Sequence, residues 1–206
     1  NIYVLPVVSK SYRYTMEGCG SIIGVKFCAG VLKRWLPDVM SRYIDKKLAI
    51  EQLWPVTQQQ QQQLIHLNQS CLQPITHRDQ VVVEHLCSFL RPFSYPQSTP
   101  LMQLQTIVSC IKTLEIYEVD AVAQACDLSV RQVQRLCNGY LGVSPKWLIR
   151  KYRLHQVIAA LDSHKTSMLD IVALLDYTDQ AHLIKDMKNM LGETPSAYQS
   201  TIKSSS

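Results

Sequence analysis

From Thr99 onward apolar residues recur at helical spacing. Leu101, Leu104, Ile107, Val108, Ile111 and Leu114 lie at intervals that place them on one stripe, which predicts an amphipathic helix. Val119, Val122, Ala123 and Cys126 predict a second, shorter one. Ser129-Val-Arg-Gln132 has the form of a capping box, in which the Ser and Gln side chains satisfy each other's free amides, and it starts a third helix running to about Tyr140. Gly142-Val-Ser-Pro145 then combines a residue able to end a helix in left-handed geometry, an oxygen that caps the next helix, and a proline suited to its first position. A long helix follows from Pro145 to Leu161.

This arrangement is written twice. Ala123, Gly142-Val-Ser144-Pro145 returns as Ala173, Gly192-Glu-Thr194-Pro195, fifty residues later and without insertion or deletion between the anchors. Val133 falls on Leu183, Arg135 on Lys185 and Leu141 on Leu191. A repeated supersecondary unit fixes an architecture. Here the unit reads as helix, tight turn, helix: Val119–Cys126 then Ser129 to about Tyr140, and Met168–Leu175, a turn over Asp176-Tyr-Thr178, then Asp179 to about Leu191.

The first ninety residues differ in character. Asn1–Val8 and Ser21–Phe27, rich in Val, Ile and Tyr, predict strands, too few to close a sheet alone. From Leu32 the pattern turns helical. The six glutamines at 58–63, next to Leu64, Ile65 and Leu67, read as the wet face of a helix. Asp79 is a candidate cap for a helix through Val82, Val83, Leu86, Phe89 and Leu90. Three prolines between Arg91 and Pro100 cannot be held in a helix and mark a linker. The expected fold is therefore mainly α. A C-terminal seven-helix domain over 100–206 carries two helix-turn-helix units joined by a long helix. A linker at 92–99 precedes it, and before that comes a smaller α+β domain over 1–91, of regulatory or dimerisation type, of which this sequence is expected to hold only part.

The chain's 206 residues, 47% hydrophobic and 18% charged, suffice for one or two domains with a core that needs no staples. Nothing in it approaches an apolar membrane span. The seven cysteines are odd in number, widely spaced and free of any C-x-x-C pair, which fits reduced cytoplasmic thiols better than a disulfide framework or a zinc site. Nothing in the pattern calls for a cofactor. The net charge of +5 matters because it is uneven. From Leu128 to Leu161 there is no acid, while Arg131, Arg135, Lys146, Arg150, Lys151 and Arg153 supply six positive charges. Asp162–Glu193 holds six acids against three lysines. A basic stretch on a helix-turn-helix and the helix after it is the footprint of phosphate contact, so the first unit is expected to hold DNA harder than the second.

On these residues the segment from Thr99 to Thr201 resembles the DNA-binding domain of AraC/XylS transcriptional regulators. The likeness rests on Ala123, Leu128-Ser129, Arg135, Gly142-x-Ser144-Pro145 and Arg153, then Ile171-x-Ala173, Tyr177-x-Asp179-Gln180-x-His182, Gly192-x-Thr194-Pro195 and Tyr198. Gly24-Val-Lys-Phe27-x-x-Gly30 is similar to the end of an uncharacterised N-terminal domain of some members. The sequence departs from the pattern at Asp176, where the family has Gly, and at Cys137, Leu183 and Met187, where it has Phe. The resemblance implies two units reading successive turns of one DNA face. It also implies a cytoplasmic bacterial regulator whose partners are double-stranded DNA and, further, RNA polymerase, a small-molecule effector and a second copy of the chain, with no membrane.

Arg favours guanine and Gln adenine in the major groove. Arg131, Gln132, Gln134 and Arg135 are accordingly candidates for base contact, and by resemblance so are Gln180, Ala181, His182 and Lys185. Ser129, Lys146, Arg150, Lys151 and Lys188 are candidates for phosphate. Arg153 suits either an internal ion pair or a phosphate, and His182 either a core position or a base edge. Tyr177, Tyr198 and Trp147 suit the core, as do Cys126 and Cys137. Two other functions compete: a cysteine alkyl-acceptor repair protein sharing such a domain, which needs an activated thiol, and a helical interaction module that meets no nucleic acid.

Overall fold

The structure is a computed structural model. It describes residues 3–10, 24–36, 38–53, 57–60, 62–63, 66, 75–91, 98–113, 116–163 and 166–203, the side chains of 75–79 and 202–203 excepted. Expectations for Asn1, Ile2, residues 21–23, Gln61, Leu64, Ile65, Leu67, residues 92–97 of the linker, Leu114, Lys165, Cys19 and Cys71 lie outside the described residues.

Contacts divide the chain into two units. One gathers Asn1–Val4, Arg13–Phe27 and Lys47–Ser98, the other Leu5–Tyr12, Cys28–Lys46 and Thr99–Ser206. In the first unit, strand β1 (Tyr3–Val4) pairs antiparallel with β2 (Leu48–Ala49), Tyr3 opposite Ala49. The strand expected through Ser21–Phe27 is not one over Gly24–Phe27, which has no ladder partner among the described residues. Strand propensity describes fit to a paired, half-buried surface, and β1 finds that surface at Leu48 instead. Residues 58–60 and 62–63 are helical and largely exposed, behind a cap in which the Thr57 amide donates to Gln60 Oε1 at 2.9 Å. Helix α1 spans Ile75–Leu90, so Asp79 lies inside it rather than at its cap. The helix begins one residue after Pro74, and a proline ahead of the first turn is a stronger boundary than an Asp within it. Val82 and Phe89 are buried on its inner face.

Among the described residues the second unit holds seven α-helices: α2 (Thr99–Thr113), α3 (Val119–Ala125), α4 (Val130–Leu141), α5 (Pro145–Asp162), α6 (Met168–Leu174), α7 (Gln180–Leu191) and α8 (Pro195–Lys203). Local chemistry sets their ends. Ser129 caps α4 in a complete capping box with Gln132, Ser144 caps α5 ahead of Pro145, and Asp179 caps α7. Gly142 and Gly192 end α4 and α7 at φ 77° and 83°. Two cores result. Leu104, Ile107, Val122, Val133, Leu136, Cys137 and Ile149 fill the first, and Leu154, Val157, Leu161, Ile171, Leu183 and Met187 the second. One helix, α5, contributes to both.

The two turns are not equal in length. Leu128 N donates to Ala123 O at 2.9 Å, and its counterpart is Tyr177 N to Val172 O at 3.0 Å. The left-handed residue is Asp127 (φ 52°) in one unit and Asp176 (φ 53°) in the other. Up to that residue the units are therefore related by an offset one shorter than the fifty that relates Ser129 to Asp179, and Thr178 is the extra residue. Ala123, buried, thus matches half-buried Val172 and not exposed Ala173 as the ungapped repeat implies. Sequence letters align on the alanines, but the backbone aligns on the residue that takes positive φ.

Residues 5–12 and 28–46, which the sequence reading groups with the N-terminal domain, group by contact with the seven helices. The 3-10 turns Val31–Arg34 and Met40–Tyr43 pack on α4. Gly30 (φ 83°) lies so close to Leu104 that a Cβ there would come within 2.5 Å of its Cδ2. A Cβ on Gly142 would meet the backbone of Met40 and Ser41 at 2.5 to 2.8 Å. Ser9 donates through its amide and hydroxyl to Asp45, and Lys151 Nζ donates to Val8 O at 3.1 Å, which ties the 5–12 segment down. Apolar contact with α2 and α4 outweighs proximity in the chain.

Two cations on α5 cross-link the second unit. Arg153, 8% exposed, stacks between Tyr117 at 4.4 Å and Tyr177 at 5.1 Å and donates to Asp176 O at 3.3 Å. Arg150 forms a bidentate pair with the carboxylate of Asp186, which is 3% exposed and projects from α7; its Nε donates to Oδ2 at 3.3 Å.

Removing Arg150 would strand a buried carboxylate, so Arg150→Ala is expected to cost about 3 kcal/mol in urea unfolding, and adding Asp186→Leu to recover most of it. Gly142→Ala is expected to cost about 2 kcal/mol or more, combining left-handed strain with the Met40–Ser41 clash. Gly139→Ala, whose Cβ meets nothing within 4 Å inside helix α4, is expected to stabilise by up to about 1 kcal/mol in the same assay.

Candidate nucleic-acid interface

Helices α4 and α7 are the second helices of the two units, and the exposure of residues 131–140 repeats position by position at 181–190. On α4, Arg131, Gln134, Arg135, Asn138 and Gly139 are exposed, while Val133, Leu136 and Cys137 are buried. Fifty residues on, Ala181, Ile184, Lys185, Lys188 and Asn189 are exposed, and Leu183, Asp186 and Met187 are buried. Spacing of three, four and seven puts each exposed set on one face of its helix. Each helix is thus bedded on one side and presents the other to solvent.

The sequence candidates divide on this basis. Arg131, Gln134 and Arg135 share the open face of α4. Gln132 does not: its Oε1 accepts from Ser129 N and Oγ, each at 2.8 Å, and it is half-buried in the capping box. Ser129 is correspondingly engaged as the cap. On α7, exposed Gln180, Ala181 and Lys185 lie at or after the cap, and Lys188 follows Lys185 on the same face. His182 occupies the place of Gln132. It is half-buried, with its ring edge-on to buried Tyr177 at 5.2 Å and 79°, so it is a packing residue.

The basic stretch is less exposed than its composition implies. Arg131, Arg135 and Lys146 are open. Arg150, expected on phosphate, is paired with Asp186, and Arg153 is buried between tyrosines. Lys151, also expected on phosphate, is held by Val8 O and lies over the Trp147 ring at 5.1 Å. An acid-free run of sequence says nothing about acids that arrive from another helix, and Asp186 is such an acid.

The open faces also hold Asn138, Ile184 and Asn189, which the sequence reading did not name. Asn138 follows Arg131 by seven residues and was recoverable from helical spacing. Ile184 stands where the first unit has Gln134, and an apolar side chain carries no polar signal. Trp147 is half-buried, Tyr177 buried and Tyr198 half-buried, with the Tyr198 hydroxyl on Asp162 at 3.3 Å. These are the core roles expected of them.

Neither Cys126 nor Cys137 is an activated thiol. Burial, with Cys110 beside it, pushes the Cys126 thiol up to about 12, and burial pushes Cys137 likewise up to about 12. Among the described residues no three His, Cys, Asp or Glu side chains converge as metal ligands, and no helix is long and apolar enough to cross a membrane.

Residues 122–201 match the family model of a helix-turn-helix domain. No curated protein and no solved structure matches the chain. The matched residues take in most of α3 and all of α4 to α7, two capped helix pairs on one connecting helix, and they constitute a DNA-binding domain of the AraC/XylS type.

Proposed function

We propose that this protein is a sequence-specific transcription regulator that sets α4 and α7 into successive major grooves on one face of the double helix. The observation that carries this reading is the matched exposure of the two helices, each with a continuous open face, on either side of a single uninterrupted helix. At about 1.5 Å per residue the 18 residues of α5 span about 27 Å. The helix pairs at its ends add width, and a DNA turn is about 34 Å. Arg131, Gln134 and Arg135 read bases from α4, joined by Asn138; Gln180, Ala181 and Lys185 act from α7. Lys146 and Lys188, with the free amides at the start of α4, meet phosphate. Binding this site lets the protein touch RNA polymerase or block it. A small-molecule effector, a second copy of the chain and a cytoplasmic setting belong to the same reading.

Genomic footprinting of the protein and its Arg131→Ala and Gln180→Ala variants tests it. Arg131→Ala is expected to cost about 1–3 kcal/mol and to relax one base position, and Gln180→Ala to cost less. Lys146→Ala is expected to weaken binding evenly across sequences and to flatten the salt dependence by about one unit of slope. Footprints unchanged by Arg131→Ala would remove α4 from the contact, and salt-insensitive binding would remove the phosphate contacts.

A further inference from the structure

The two open faces differ in polarity at two matched positions. Where α4 presents Arg131 and Gln134, α7 presents Ala181 and Ile184. Ile184 is 38% exposed at the middle of that face, with exposed Ala181 one turn back. Lys185 and Lys188 flank it, so any surface that covers this patch is expected to be anionic at its edges and apolar at its centre. The major groove of DNA offers that combination in one place. Phosphates line its rims, and the C5-methyl of thymine is the apolar group on its floor.

A side chain without donors or acceptors cannot distinguish guanine from adenine by their N7, O6 or N6 edges, so Ala181 and Ile184 cannot share the hydrogen-bond readout of Arg131 and Gln134. They can pack against methyl groups. Being three residues apart on one helix face, they reach thymines at neighbouring steps. We infer that α7, beside the polar contacts of Gln180 and Lys185, recognises its half of the site through thymine C5-methyl groups held against Ala181 and Ile184, whereas α4 relies on donors and acceptors. The target is therefore lopsided: one half defined by guanine and adenine edges, the other by a run of methyl-bearing steps. This rests on the proposed insertion of α7 into a major groove.

The experiment uses the full chain and duplexes of about two turns selected from a randomised pool. The half-site whose sequence relaxes with Arg131→Ala belongs to α4, and the other to α7. Replacing thymine with deoxyuridine removes the methyl and keeps every hydrogen-bonding group. In the α7 half this is expected to weaken binding about fourfold for each contacted methyl, and in the α4 half to change it little. Ile184→Gln, at an exposed position, is expected to keep the unfolding midpoint while erasing most of the uracil penalty, and Ile184→Val to retain part of it. Specific binding that ignores deoxyuridine in the α7 half overturns the inference and leaves the DNA-reading assignment intact, as does a penalty that survives Ile184→Gln. A pool that yields no preferred sequence overturns both.

Discussion

The arrangement of this unit depends on α5 being held to both of its neighbours at once. Its first half packs Leu148 and Ile149 into one core, its second half packs Leu154, Val157 and Leu161 into the other, and the two arginines between them fix orientation. Arg153 bridges Tyr117, ahead of α3, to Tyr177 in the second turn, and Arg150 holds α7 by its buried Asp186. A pair of this kind gives directional constraint where apolar packing alone permits sliding, although a well-packed apolar substitute can be as stable. The relative setting of α4 and α7 follows from these contacts.

Helix limits were legible because they are local. Ser129 with Gln132, Ser144 before Pro145, Asp179, Gly142 and Gly192 each declare an end within four residues, and the structure places the ends there. The unequal turns were not legible. The alanines at 123 and 173 invite alignment, while the discriminating property is which residue takes positive φ, and two aspartates carry that role without a glycine to announce it. Strand pairing was missed for a related reason, since the partner of Tyr3 lies at Ala49 and no local pattern names it.

Charge was legible only in part. Composition located the basic segment, yet three of its six cations are engaged inside the protein by Asp186, by Val8 O or by tyrosine rings, from positions more than twenty residues away. On α7 the sequence reading named Gln180, Ala181, His182 and Lys185 but passed over exposed Ile184, which carries no charge to count. In both cases burial and pairing, which are tertiary quantities, decide what a side chain is free to do.

The seating of Gly142 on the backbone of Met40 and Ser41 has a temporal consequence. These groups are roughly a hundred residues apart in sequence, and the stretch Lys47–Ser98 between them belongs to the other unit. On a ribosome, residues 28–46 emerge long before the helix they rest on exists. Their apolar groups, Leu36 and Met40 among them, are buried in the finished fold, and closure of so long a loop adds only a logarithmic entropy cost. The packing of residues 28–46 on α4 can therefore be completed only once the C-terminal half of the chain has been synthesised.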